Sequence, residues 1–408
     1  MQSDSRRQYW FALTAVLLCL AAALVLYHSL AGGTLFAHSW YDSYSIQAEN
    51  WLAGSLSIQN GEQYTWLELA IYNGTYYLSF PPVPSVIMLP WVLLCGSASA
   101  VPSNFAILLF ALCCAAGVYA CFWYQGASVP CCAFFALFVT MGSNTFWLSC
   151  DGGVWFMAQV LGLCFSVWGI FYAMQSSLPA QALASLCFGL AVGCRPFYAL
   201  LPALWLGQML YRVFRHAVPV REFVAAILPI SLAAIAMMSY NYVRFGSVLE
   251  FGHNYLPEFV EAEYGQFHIA YLFPNLLNLL RPLTIDASGQ LSFPIFNGFL
   301  PFVANPLFAL WTACAVRLHG QPRKVFCLPT HGVVLAGSCL LVLVLTCLHR
   351  TLGGWQFGAR YTVDLFPYVL LWFLGRKNGY QPSIPAWTVC ALGILFNLYG
   401  AVFMLGTT

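Results

Sequence analysis

Long apolar runs, almost free of charge, constrain this chain more than any other feature. They occupy 9–30, 102–124, 130–148, 153–174, 179–194, 196–213, 223–241, 293–316, 326–348, 361–375 and 385–405. Only 7% of the 408 residues are charged and 61% are hydrophobic, whereas soluble domains carry about a quarter charged residues. So few charges cannot cover a water-facing surface. Lipid is the main solvent, and helices cross it because hydrocarbon leaves no partner for an open backbone. The expected fold is an all-α polytopic membrane protein with about 11 transmembrane helices, each needing about 20 residues to cross. The net charge of +2 gives no footing for nucleic acid. Sixteen cysteines lie mostly inside the apolar runs, show no CxxC or zinc spacing, and read as small hydrophobes rather than a disulfide framework.

Orientation follows from the basic residues. Arg212, Arg215, His216 and Arg221 form the densest basic loop, joined by Arg317–Lys324 and Arg376–Lys377, and the positive-inside rule puts these in the cytoplasm. Arg6 and Arg7 precede the first run, which reads as a retained signal anchor with a cytoplasmic N-terminus. The parity closes if 83–95 is re-entrant or interfacial, as its roughly 13 apolar residues suggest, and if 179–213 is two short helices hinged at Arg195-Pro196. The alternative makes 83–95 a crossing and 179–213 one helix, which would bury an arginine and a proline in mid-helix. The chain then reads as a single membrane domain, 1–408, with two large extracytoplasmic loops, 32–100 and 242–292. Nearly all remaining acids, including Asp286, collect on that outer face.

The first outer loop opens HSWYDSYSIQAENWLAG. Asp42 stands just past the first span, and Tyr44, Ala48 and Trp51-Leu52 follow at amphipathic helical spacing, so Asp42 is either a helix N-cap, a site carboxylate, or both. Asp151, in SCDGG, also opens a helix and is the second-carboxylate candidate. Arg195 interrupts GLAVGCRPFYALLP and Arg360 begins GARYTVDLFP. An arginine at membrane depth is a functional hypothesis, although Arg360 could simply pair with Asp364 four residues on. Guanidinium groups beside an aspartate suit a phosphate-bearing lipid. The chain has no GxGxxG after a strand, no Walker loop and no GxSxG.

Asp42, Tyr44, Ala48, Leu52, Gly54, Gly74, Tyr76 and Pro81-Pro82, with GLAVGCRP and ARYTVDLFP further on, resemble the motifs of the C-type (GT-C) glycosyltransferases, among them the protein O-mannosyltransferases and aminoarabinose transferases. NYVRFGSVLEFGHNY is similar to a segment of bacterial members. The usual Asp-Glu of that family is Asp42-Ser43 here, so one carboxylate carries over. The resemblance implies an inverting transfer of a hexosyl or pentosyl group from a polyprenyl-phosphate carrier to a hydroxyl of a glycan, lipid or protein. It places the reaction on the outer face of a bacterial plasma membrane. Asp42 would be the base, Arg360 and Arg195 would hold the donor phosphate, and Tyr44, Tyr76 and His253 are substrate-loop candidates. No metal ligands are assigned, and a divalent metal is left open. A transporter or flippase for a lipid-linked sugar, or a lipid-linked glycan polymerase or ligase, would share the many spans and remains the alternative.

Overall fold

The computed structural model describes all residues except 1, 65, 286–288, 290, 318–324, 326, 377–378 and 408. Asp286, Lys377 and all of the basic segment after Arg317 up to Lys324 therefore lie outside the described residues. The chain is helical nearly throughout. Helix α1 (Gln2–Leu30) leads into α2 (Ser43–Leu52), an antiparallel hairpin of β1 (Leu69–Tyr72) and β2 (Thr75–Leu78), and α3 (Val83–Cys95). The hairpin turns on Asn73 and Gly74, both at positive φ (51° and 72°), the backbone that Asn-Gly supplies most readily in a two-residue hairpin turn.

A bundle follows: α4 (Ser103–Tyr124), α5 (Val129–Thr140), α6 (Thr145–Leu148), α7 (Val154–Ala173), α8 (Leu178–Val192), α9 (Leu200–Phe214) and α10 (Val220–Phe245). The second large loop carries α11 (Pro257–Val260) and α12 (Leu272–Leu279), and the chain closes with α13 (Pro301–Ala304), α14 (Leu307–Arg317), α15 (Gly332–Cys347), α16 (Phe366–Leu374) and α17 (Ile384–Leu405). Among the described residues, five helices are long and apolar enough to cross a bilayer, and shorter apolar helices of 10–17 residues accompany them. The all-α polytopic membrane fold expected from the sequence is the fold observed.

The apolar runs and the helices differ in instructive places. The run 293–316 becomes helical as a span only from Leu307, because Pro294, Pro301 and Pro306 interrupt it and Asn297 and Gly298 turn at positive φ. Pro329 similarly delays α15 to Gly332. The backbone breaks between α8 and α9, where a short 3-10 turn at Pro196–Ala199 follows Arg195. A proline removes an amide donor and clashes with the preceding turn, so the expected hinge at Arg195-Pro196 is where the helix stops. All sixteen cysteines are free thiols, most of them buried among apolar side chains.

Helix α7 packs closely against α4 and α8, with Tyr198 fully buried against it. The glycines of α7 make this closeness feasible: a side chain at Gly162 would collide with Tyr198, and one at Gly169 with Phe188. The result is a rigid wall whose N-terminal end, at Gly153, borders the candidate site.

Candidate functional site

A cavity of about 710 Å³ opens where the loops 32–100 and 242–292 meet the N-terminal end of α7 and the α8–α9 break. Asp151, Glu68, Arg195, Arg360, His253 and His349 all contribute to its lining. It is built from segments far apart in sequence, so its assembly depends on the whole fold.

Arg360 sits on the first residue of a 3-10 turn before α16 and is buried. Its Nη2 and Nε donate to the Gly353 carbonyl (2.8 and 3.3 Å), and Nη1 donates to Gln159 Oε1 (3.3 Å). Among the described residues no carboxylate lies within ion-pair distance of it. Its backbone is fixed on both sides. The Arg360 amide donates to Gln356 Oε1 (2.9 Å), and the preceding Ala359 amide donates to Asn144 Oδ1 (2.9 Å). Asn144, Asn305, Asn397 and Thr362 form a buried amide network beneath this segment. Satisfied networks of this kind hold a single geometry.

Arg195 differs. Its Nε and Nη2 both reach Asp364 Oδ2, at 3.1 and 3.0 Å. The i,i+4 pairing of Asp364 with Arg360 that the sequence suggests is therefore not the bridge formed; Asp364 instead joins the helix break to α16. Both guanidinium carbons approach the Tyr361 ring, at 4.8 and 4.9 Å. Both donor-phosphate candidates thus reach the cavity, but one arrives neutralised and the other does not.

The carboxylates also divide. Asp151 precedes the N-terminus of α7, where the helix dipole favours an anion. Its Oδ1 accepts from Ser39 Oγ (2.7 Å) and the Gly153 amide (2.6 Å). Burial pushes its carboxyl above the usual range, against those hydrogen bonds. Glu68, which the sequence does not single out from the other acids of its loop, also lines the cavity; its Oε2 accepts from Trp155 Nε1 (3.0 Å). Burial raises its carboxyl too, with Trp155 and the Arg360 charge pulling the other way and Glu258 adding to the rise.

Asp42 follows cavity-lining Tyr41 but is itself 0% exposed and outside the lining. It is the N-cap of α2: Oδ1 accepts from the Ser45 amide (3.0 Å) and Oδ2 from the Ser45 hydroxyl (2.6 Å). His38 Nδ1 lies 3.7 Å from Oδ2. Burial raises the Asp42 carboxyl, Ser45 opposes that, and the Asp151 charge adds to it. Tyr44 is fully buried, at the edge of the Phe80 ring, and Tyr76 lies on β2 against Gly61. Neither belongs to the cavity lining. His253 does; its Nδ1 donates to the Ser79 carbonyl (2.7 Å), which leaves Nε2 as the acceptor. Burial, then the charges of His349 and Arg195, lower His253 to about 4, and His349 is likewise lowered to about 4, chiefly by burial. Both rings are neutral near pH 7. Among the described residues no group of three or more His, Cys, Asp and Glu side chains is placed to hold a metal ion.

No family model matches the sequence, and no curated protein is similar to it. Solved structures are. ArnT from Cupriavidus metallidurans bound to undecaprenyl phosphate matches with a TM-score of 0.54 at 14% identity, over 93% of this chain and 62% of that one. The same protein in the apo state gives 0.51 at 14% identity, over 92% and 62%. The Archaeoglobus fulgidus oligosaccharyltransferase in the apo form gives 0.48 at 12% identity, over 97% and 55%. The chain spans less than two thirds of the length of any of these. At such identities the likeness concerns architecture: this chain has the polytopic helical fold of ArnT.

Proposed function

We propose that this chain is an inverting glycosyltransferase that moves a sugar from a polyprenyl-phosphate carrier to an acceptor hydroxyl at the extracytoplasmic face of the membrane. One observation supports it most. A buried guanidinium with no carboxylate partner among the described residues, Arg360, faces the same cavity as Asp151 and Glu68. A buried charge without an ionic partner is costly, and an anionic ligand would lower that cost. ArnT, whose fold this chain shares, has been captured with such a lipid phosphate.

In the proposed reaction the acceptor oxygen attacks the anomeric carbon from the face opposite the phosphate. The carbon–oxygen bond to the phosphate breaks, and the lipid phosphate leaves with the electron pair. Arg360 stabilises that developing charge in a water-poor site, where preorganised donors act most strongly. Arg195 joins it by yielding part of its bond to Asp364. The acceptor's proton passes to Asp42, the base implied by the resemblance. Its raised carboxyl suits a base working near neutrality, and general bases of this kind contribute about 10²–10⁴-fold. Asp42 is one residue from the cavity lining, and catalytic geometry often tightens only once substrate is bound. Asp151, already at the wall, orients the acceptor. His253 offers Nε2 to a sugar hydroxyl, while Tyr44 and Tyr76 set the shape of the loop around the donor. In the same reading residues 1–408 form one membrane domain with a cytoplasmic N-terminus, and 32–100 and 242–292 lie outside a bacterial plasma membrane.

The test is purified protein supplied with polyprenyl-phosphate sugar and a hydroxyl acceptor, scoring sugar transfer and release of the lipid phosphate. Movement of the lipid-linked sugar across vesicles without transfer would replace this reading with a flippase. Transfer lost in Asp151→Asn but intact in Asp42→Asn would move the base to Asp151.

A further inference from the structure

Gln159 is a fully buried polar side chain in the second turn of an apolar helix, α7. Nothing about bundle packing requires an amide there. Its contacts are specific: Oε1 accepts from Arg360 Nη1 (3.3 Å), and Nε2 donates to the Arg360 carbonyl (3.0 Å) and to Asp364 Oδ1 (3.4 Å). The amide therefore stands between two side chains of opposite charge, four residues apart on one turn, that would otherwise attract each other strongly at low dielectric. Asp364 uses Oδ2 for Arg195 and gives Oδ1 to Gln159. Arg360 gives Nη1 to Gln159 and its other donors to Gly353.

We infer that Gln159 is a positioning residue that keeps Arg360 from neutralising itself on Asp364, and so maintains a cavity cation without a carboxylate partner among the described residues for an anionic lipid headgroup. A neutral amide suits this task because it bonds both partners while adding no charge. Leucine at 159 would leave Asp364 Oδ1 without this donor and let Arg360 turn onto it. Glutamate would itself neutralise Arg360. The inference rests on the proposed binding of a lipid phosphate, and its test separates the two.

The probe is polyprenyl phosphate, compared with the uncharged polyprenol of the same length. Binding to the full chain in detergent is followed by the ligand-induced shift in thermal unfolding and by titration. Wild type should prefer the phosphate by at least tenfold. Gln159→Glu should lose most of that preference while its ligand-free unfolding temperature holds or rises, since a new ion pair forms with Arg360. Gln159→Leu should lose the preference as well. A merely structural glutamine would give the opposite for Gln159→Glu: lower stability with the preference kept. If wild type does not distinguish phosphate from alcohol, the lipid-phosphate reading fails and this inference with it. If Arg360→Gln loses the phosphate preference that wild type shows but Gln159→Glu binds like wild type, only the role of Gln159 is overturned.

Discussion

Gly353 offers a way to move Arg360 without touching its charge. Its backbone has φ +103°, and a Cβ there would lie 2.6 Å from Arg360 Nε and 3.1 Å from Cζ. Such a contact is too short to persist, so in Gly353→Ala either the loop or the guanidinium must shift. The amide network holds the Arg360 backbone, which leaves the guanidinium as the softer element. It would be pushed off the Gly353 carbonyl by close to 1 Å, and a misplacement of about 1 Å in a reacting constellation can cost about 10²-fold. The unusual φ adds about 1–3 kcal/mol of local strain. Gly354→Ala is the comparison: φ is +60°, and nothing lies within 4 Å of the new Cβ, so strain appears without the clash. The assay is kcat/KM for sugar transfer from a polyprenyl-phosphate donor, alongside thermal unfolding of each variant. We expect about a 10²-fold loss in Gly353→Ala and a much smaller one in Gly354→Ala. Equal effects, or a Gly353→Ala variant within threefold of wild type, would refute the placement of Arg360 in the reaction.

Three further outcomes follow from the same geometry. Asp42→Asn should lose about 10²–10⁴-fold in turnover with its unfolding temperature unchanged, since Asn caps a helix about as well as Asp; a stability loss that accounts for the activity loss would make Asp42 only a cap. His253 and His349 are both held near 4 against an ordinary value of 6.5. The unfolded chain therefore binds more protons than the folded one between those values, and this contribution to stability is lost as pH falls from about 6.5 towards 4; His253→Gln with His349→Gln should flatten that limb of the unfolding-temperature profile. Asn144→Ala should cost about 1–3 kcal/mol by leaving the buried Ala359 amide unsatisfied, read by denaturant or thermal unfolding.

The fold was legible because lipid leaves few options: apolar runs near twenty residues must be helices, and Pro196, Pro301 and Pro329 mark where they break or begin. The arginines were legible too, since Arg195 and Arg360 interrupt such runs. Their partners were not. Asp364 lies four residues from Arg360, and local spacing favours that pair, yet the tertiary fold brings Arg195 from 169 positions away to claim it. Gln159 carried a readable signal, a lone amide inside an apolar helix, though not what it would touch. Glu68 had no local mark at all; only the hairpin that carries it, pinned by Trp155, takes it to the cavity. Asp42 was conspicuous in sequence for a reason that holds in the structure, its helix cap.

The break between α8 and α9 bears on where the chemistry happens. Each of these helices has 15 residues, a reach of about 22 Å at 1.5 Å per residue, well short of the roughly 30 Å of hydrocarbon. If the proposed membrane placement holds, Arg195 between them sits beneath the headgroup plane. Bare backbone at that depth is tolerated only beside protein or a wet recess, and this stretch borders the cavity. In the proposed function a long-tailed donor would then keep its tail among the lipids and dip only its head into a basin sunk in the leaflet, and the thickness of the host membrane would become a dial on turnover.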